Sequence, residues 1–257
     1  MRKILLFPFL IPIFALMASA QTTSQAFDTL QFNKQLEFAN HLIEYEFYTQ
    51  LAESEFSKLP ETSDFEWFSY KENNTWYAIG GNNTGNTFAI KKHVSFDSLN
   101  TISDYTGNSN TSELDALGSA LANADTRFQV IRDTSSIYFN AFVISNPDQT
   151  ISVWYFPAFQ PSGQAIYGCE WEYIFGNTGK NLISQNSSVK NVTGVWIGQP
   201  RELWLNYRSI DKPTIGSVFF AQYFRDYFTR VRIDTKNSTS TISKDANGNY
   251  SWTHKMK

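Results

Sequence analysis

The longest regular pattern in the chain lies in residues 24–58, SQAFDTLQFNKQLEFANHLIEYEFYTQLAESEFSK. Phe27, Leu30, Lys34, Phe38, Leu42, Tyr45, Tyr48, Ala52 and Phe56 advance by three or four, and all but Lys34 are apolar or aromatic. That spacing is one face of an α-helix. Ser24 supplies an N-cap and Pro60 ends the pattern. Glu37, Glu44, Glu46, Glu53 and Glu55 fall on the polar side, which reads as an acidic, solvated face.

After Pro60 the period shortens to two. Residues 64–92 are short aromatic runs separated by Asn and Gly, the signature of antiparallel hairpins. A second helix is expected near 113–124. There Leu114, Leu117, Leu121 and Ala124 share a face, and Ser112 with Asp115 has the spacing of a capping box. From residue 127 the chain reads as strand again, in RFQVIRD, SIYFNAFVIS, TISVWYFPAF, CEWEYIF and KNLISQ, with Asn-, Gly- and Pro-rich turns between several of them. Residues 216–228 fit a helical stripe and a strand equally well, and the conformation there stays open. VRIDTKN and NYSWTHK close the chain. Gly-Asn pairs recur without a fixed period, which indicates shared turn chemistry rather than a repeat. The expected fold is α+β: an N-terminal helical segment packed on a mainly antiparallel, aromatic-rich β-sheet system.

The first twenty residues stand apart from this pattern. Arg2 and Lys3 precede an apolar run from Ile4 to Met17, and Ala18-Ser19-Ala20 gives an A-x-A site before Gln21. This predicts a signal peptide over 1–20 and export to the periplasm or outside the cell, with a bacterial source favoured. The mature chain, 21–257, then reads as one α+β domain with a possible subdivision near 110–126. No later stretch is apolar enough to span a membrane.

Composition adds two constraints. With 22 Phe, 13 Tyr and 7 Trp among 257 residues, rings supply the core material. The single cysteine cannot make an intrachain disulfide. The acidic balance of the mature chain argues against a general nucleic-acid binder, which needs a basic face, although a local basic patch is compatible with it.

Chemistry is sparse. In the stretch 165–180, AIYGCEWEYIFGNTGK, strand alternation sends Cys169, Trp171, Tyr173 and Phe175 to one face and Glu170, Glu172 and Ile174 to the other. Cys169 among rings reads as a buried structural thiol. Glu170 and Glu172, about 7 Å apart along a strand, could flank a glycosidic bond, but they point in parallel. The plainer reading is the solvated face of a hairpin. His41, His93 and His254 show no metal-ligand spacing, and His93 is the one with acid–base potential. Asp245, Asn247 and Asn249 superficially resemble a calcium loop, but Tyr250 and Met256 stand where Gly and Glu are required, so this is a hairpin turn. In GQPRELWLNYR, 198–208, inward Leu203 and Leu205 would turn Trp204 outward, and Arg201, Trp204 and Tyr207 are candidate binding residues for a glycan or peptide. No metal or cofactor is implied. The function expected is an exported, non-catalytic binding or scaffolding domain for a peptide, a glycan or an envelope protein. The alternative is a secreted hydrolase using Glu170 and Glu172 or His93, which requires these groups or Arg201 to meet in a cleft.

Overall fold

The computed structural model describes residues 26–59, 65–83, 88–107, 110–198 and 201–257. The expected signal peptide, Ser24 and Pro60 lie outside them. Among these residues three α-helices and twelve strands are arranged as an α+β fold, 30% helical and 43% strand. Helix α1 (Thr29–Phe56) is followed by β1 (Phe65–Glu72), β2 (Thr75–Asn83), β3 (Phe88–Phe96) and β4 (Ile102–Asp104). Helix α2 (Thr111–Thr134) is followed by β5 (Phe139–Ser145), β6 (Ile151–Pro157), β7 (Gln164–Phe175) and β8 (Leu182–Trp196). Strand β9 (Glu202–Tyr207), helix α3 (Ile215–Tyr223), β10 (Arg230–Thr235), β11 (Ser238–Lys244) and β12 (Tyr250–Met256) complete the order. Each of the first two sheets is a four-stranded antiparallel meander in chain order. The third runs β12-β11-β10-β9, and β9 pairs with β10 in parallel because α3 carries the chain across between them. Thus a helix followed by four meandering strands occurs twice, without any sequence period to announce it.

The layers interlock. On β1, Ser69 accepts a hydrogen bond from Thr49 of α1 at 2.8 Å and Trp67 packs on Phe56, so alternate residues face α1. The others face α2, where Phe68 meets Phe88 and a Cβ on Gly118 would strike the Phe88 ring at 2.2 Å. Sheet 1 therefore lies between α1 and α2. Sheet 2 lies between α2, through Phe128 on Tyr155, and α3 with α1, through Phe219 and Tyr45 on Phe142. Leu203, Leu205, Val231, Ile233 and Ile242 turn the inner face of sheet 3 into the same continuous core.

Local chemistry explains the departures from the expected elements. Asp28 caps α1, accepting from the Gln31 N–H at 3.0 Å. Helix α2 runs ten residues past 124, so RFQVIRD is helix and not strand. The stripe Leu121, Ala124, Phe128 continues through it, and only the exposed Val130 is out of place. Asp115 does not close a capping box: its carboxylate accepts from the Phe88 N–H at 2.5 Å and ties α2 to β3. The open segment 216–228 resolves as helix, with Thr214 as N-cap accepting from Ser217 N–H, followed by a 3-10 turn at Arg225–Tyr227. The acidic-face expectation for α1 fails at Glu46, which is 7% exposed.

Candidate functional site

The alternation expected on β7 holds, but its consequence differs. Trp171 and Tyr173 face α2 through Phe128 and Tyr155. Glu170 faces α3, which covers it to 2% exposure, so it is not part of a solvated face. Its Oε1 accepts from Tyr207 Oη at 2.9 Å and Thr214 Oγ1 at 2.7 Å. Its Oε2 accepts from the Gly216 N–H at 3.3 Å, at the positive end of α3. Burial raises the carboxyl to about 6 against these donors. A Cβ at Gly216 would lie 2.4 Å from the Glu170 carboxyl carbon, so glycine admits the approach. The node pins β7, β9 and α3 together; all its oxygens are engaged and protein covers it. Cys169 precedes it at a β-bulge with φ +55°, next to Gly168 at φ +87°. It is buried, and desolvation pushes its thiol up, as a structural cysteine requires.

The remaining hydrolase candidates do not converge with Glu170. Glu172 is half-buried, accepting from Asn186 Nδ2 at 3.0 Å and Ser152 Oγ at 3.4 Å. His93 lies on sheet 1 among Tyr70, Tyr77 and Tyr105, with Nε2 3.0 Å from Tyr70 Oη, and desolvation lowers its imidazole to about 4. Arg201 reaches the Trp196 carbonyl at 3.4 Å. Among the described residues these four groups are not brought together: His93 lies on sheet 1, Glu170 and Glu172 on sheet 2, and Arg201 at the start of sheet 3. Among the described residues no group of three or more His, Cys, Asp or Glu is gathered for a metal ion.

The binding candidates also separate. Leu203 and Leu205 are buried and Trp204 is 49% exposed, as the alternation predicts. Tyr207 has the parity of the leucines and belongs to the core. Trp204 sits on the outer face of sheet 3, across from Arg232, Thr241 and Thr253 on successive strands. The row beside it is Glu202, Arg230, Ser243 and Ser251. The Arg232 guanidinium stacks over the indole at 4.5 Å and is held by Glu202 at 2.6 Å. Nearby, Asp234 is bracketed by Arg208 and Lys257, each at 2.5 Å. Burial opposes its ionisation, yet Lys257, Arg208 and Thr239 together keep its carboxyl below the ordinary value.

One further concavity was not legible in the sequence. A cleft of ≈ 610 Å³ opens between α1, β1, α2 and β5. Trp67 stands at its wall, 39% exposed. Glu46 accepts from Gln50 Nε2 at 2.7 Å, and burial, strengthened by Glu53, raises its carboxyl to about 7. Opposite, the Asp125 carboxylate is held by Arg132, with Nη1 3.1 Å from Oδ2. The lining residues come from four separated segments, each spaced as ordinary surface, so only the fold assembles them. Comparison with known families, curated proteins and solved structures gives no match for this chain, and these surfaces stand on their own chemistry.

Proposed function

We propose that this chain is an exported, non-catalytic binding domain that holds a glycan on the outer face of sheet 3. The observation that carries this reading is Trp204: a half-exposed indole on a sheet face whose other positions are Arg, Lys, Thr, Ser, Asn and carboxylates paired to cations. An indole offers an apolar platform with a polar edge. Strands ~4.8 Å apart, with same-face residues ~6.7 Å apart along each strand, spread hydrogen-bonding groups in two dimensions. Such a surface matches a chain of hydroxyl-bearing rings. An extended peptide would instead use a sheet edge or a groove. Both carboxylates of the face are paired with cations, which supports holding over hydrolysis. Export is supported by the segment 1–20, and mass spectrometry of the secreted N-terminus should find Gln21.

The binding reading is tested by titrating the protein with soluble polysaccharides, charged and neutral, while following amide NMR shifts. Shifts clustered on β9–β12, weakened about tenfold by Trp204→Ala, are expected, since stacked rings contribute ~1 kcal/mol or more. Shifts elsewhere, or none, would remove the reading. A second reading rests on Glu46: a carboxyl protonated near neutral pH inside a cleft has the character of a proton donor. Hydrolysis of aryl glycosides that disappears in Glu46→Gln would favour it.

A further inference from the structure

We infer that the glycan held by sheet 3 is a polyanion, its carboxylates meeting the arginines that surround Trp204. This rests on the glycan reading above and adds the charge of the ligand. The charge of the chain is divided along its length. Residues 201–257 carry 10 Lys and Arg against 5 Asp and Glu, whereas residues 1–200 carry 11 against 19. The fold concentrates that excess on one side. Strand parity and ion pairs place Arg208, Arg230, Arg232, Lys255 and Lys257 on the outer face, with only Glu202 and Asp234 opposing them.

The pairing is arranged so that the surplus persists. Glu202 is shared between Arg232 at 2.6 Å and Arg230 at 3.9 Å. Asp234 is shared between Arg208 and Lys257. One carboxylate to two cations leaves positive charge over and orients the guanidinium groups without neutralising them. Arginine presents a planar fork that engages a carboxylate through two parallel hydrogen bonds. The Arg232 guanidinium lies 4.5 Å over the Trp204 ring, which stays half-exposed, so charge and apolar ring are offered side by side. A sugar ring bearing a carboxylate satisfies both at once. The Ser and Thr hydroxyls at positions 241, 243, 251 and 253 can donate to or accept from the sugar hydroxyls. Single-stranded nucleic acid fits less well, because sheet platforms for bases use two or three stacking rings and this face has one.

The experiment compares polygalacturonate with its fully methyl-esterified form, the same backbone without charge, at 20 and 200 mM NaCl. An oligothymidylate and phosphatidylglycerol vesicles are run alongside. Polygalacturonate is expected to bind about tenfold or more tightly than the ester, and to weaken as salt is raised. Arg230→Gln/Arg232→Gln should lose that preference with an unchanged unfolding midpoint, and Trp204→Ala should weaken both forms. Equal, Trp204-dependent binding of acid and ester overturns the charge inference and leaves the glycan reading standing. Binding of neither polymer removes both. Binding of the oligonucleotide or the vesicles through Trp204 and Arg232 in place of polygalacturonate overturns the inference in favour of those ligands.

Discussion

At the scale of single residues, Glu170 is the most exacting position. A carboxylate under a helix is tolerated only while its donors are in place, and Tyr207, Thr214 and Gly216 supply three. Glu170→Ala should cost about 3 kcal/mol in urea denaturation, from the cavity and from three stranded donors. Glu170→Gln keeps the volume and lets the two hydroxyls turn to accept, so its cost should stay below about 1.5 kcal/mol. Equal losses would mean that charge, not hydrogen bonding, holds the node. The sequence revealed the direction of Glu170, because alternation on a strand is local. It did not reveal the burial, because the covering residues lie 37 to 46 positions later. Trp204 and Tyr207 show the same limit. Parity sends one outward and the other inward, yet a spacing of three positions looks like closeness in the sequence.

Among the elements, the helices were legible where the three-to-four spacing of apolar residues was sustained. Helix α1 was legible as one uninterrupted helix, although at its start the buried face is Phe32 and Ala39 and the expected Leu30 is exposed. Helix α2 was read too short because its last turns, RFQVIRD, bury Phe128 and leave Val130 exposed, which reads locally as strand. Segment 216–228 needed Thr214, whose capping contact no periodicity displays. The hairpin of β7 and β8 was readable from its glycines, and its turn also has a packing role. Gly179 has φ +71°, and a Cβ there would stand 2.0 Å from the Ala116 carbonyl oxygen and 2.6 Å from the Ala120 nitrogen of α2. Neither backbone atom can yield without breaking the helix. Gly179→Ala should therefore destabilise by about 2 kcal/mol or more, combining left-handed strain with the clash. Gly248→Ala shares the positive φ of 88° but meets only the end of the Lys244 side chain, at 3.6 Å. It should cost about 1 kcal/mol, from strain alone. Thermal melts of the two variants separate the contributions, and equal losses of melting temperature would deny the turn–helix contact.

Across the whole molecule, buried ionisable groups sit at the seams between layers, and their titrations oppose one another. Glu46, between α1 and β5, is raised from 4.5 to about 7, and Glu170, between β7 and α3, from 4.5 to about 6. A carboxyl raised in the folded state binds its proton more tightly there than in the unfolded chain. Its contribution is complete below about 4.5 and is lost as pH climbs to the folded value, so both glutamates weaken the fold between mild acid and neutrality. His93 acts in the other direction. Its imidazole is lowered from 6.5 to about 4, so the unfolded chain takes up the proton first and stability falls as pH drops from 6.5 towards 4. The opposing slopes partly cancel, so none of the three groups is visible by itself in the parent. Variants expose them. Relative to the parent, Glu46→Gln should gain about 3 kcal/mol between pH 4.5 and 8, since each tenfold difference in proton affinity between the folded and unfolded chain is worth ~1.4 kcal/mol. His93→Asn should gain as pH falls below 6.5, by less than the lowered imidazole alone implies, because His93 is only partly buried and solvent screens its charge. Urea midpoints of the parent and both variants from pH 4 to 8 would show difference curves of opposite slope. A Glu46→Gln difference that stays flat across this range would mean that the carboxyl ionises normally, and that the cleft between α1 and β5 is as wet as bulk water.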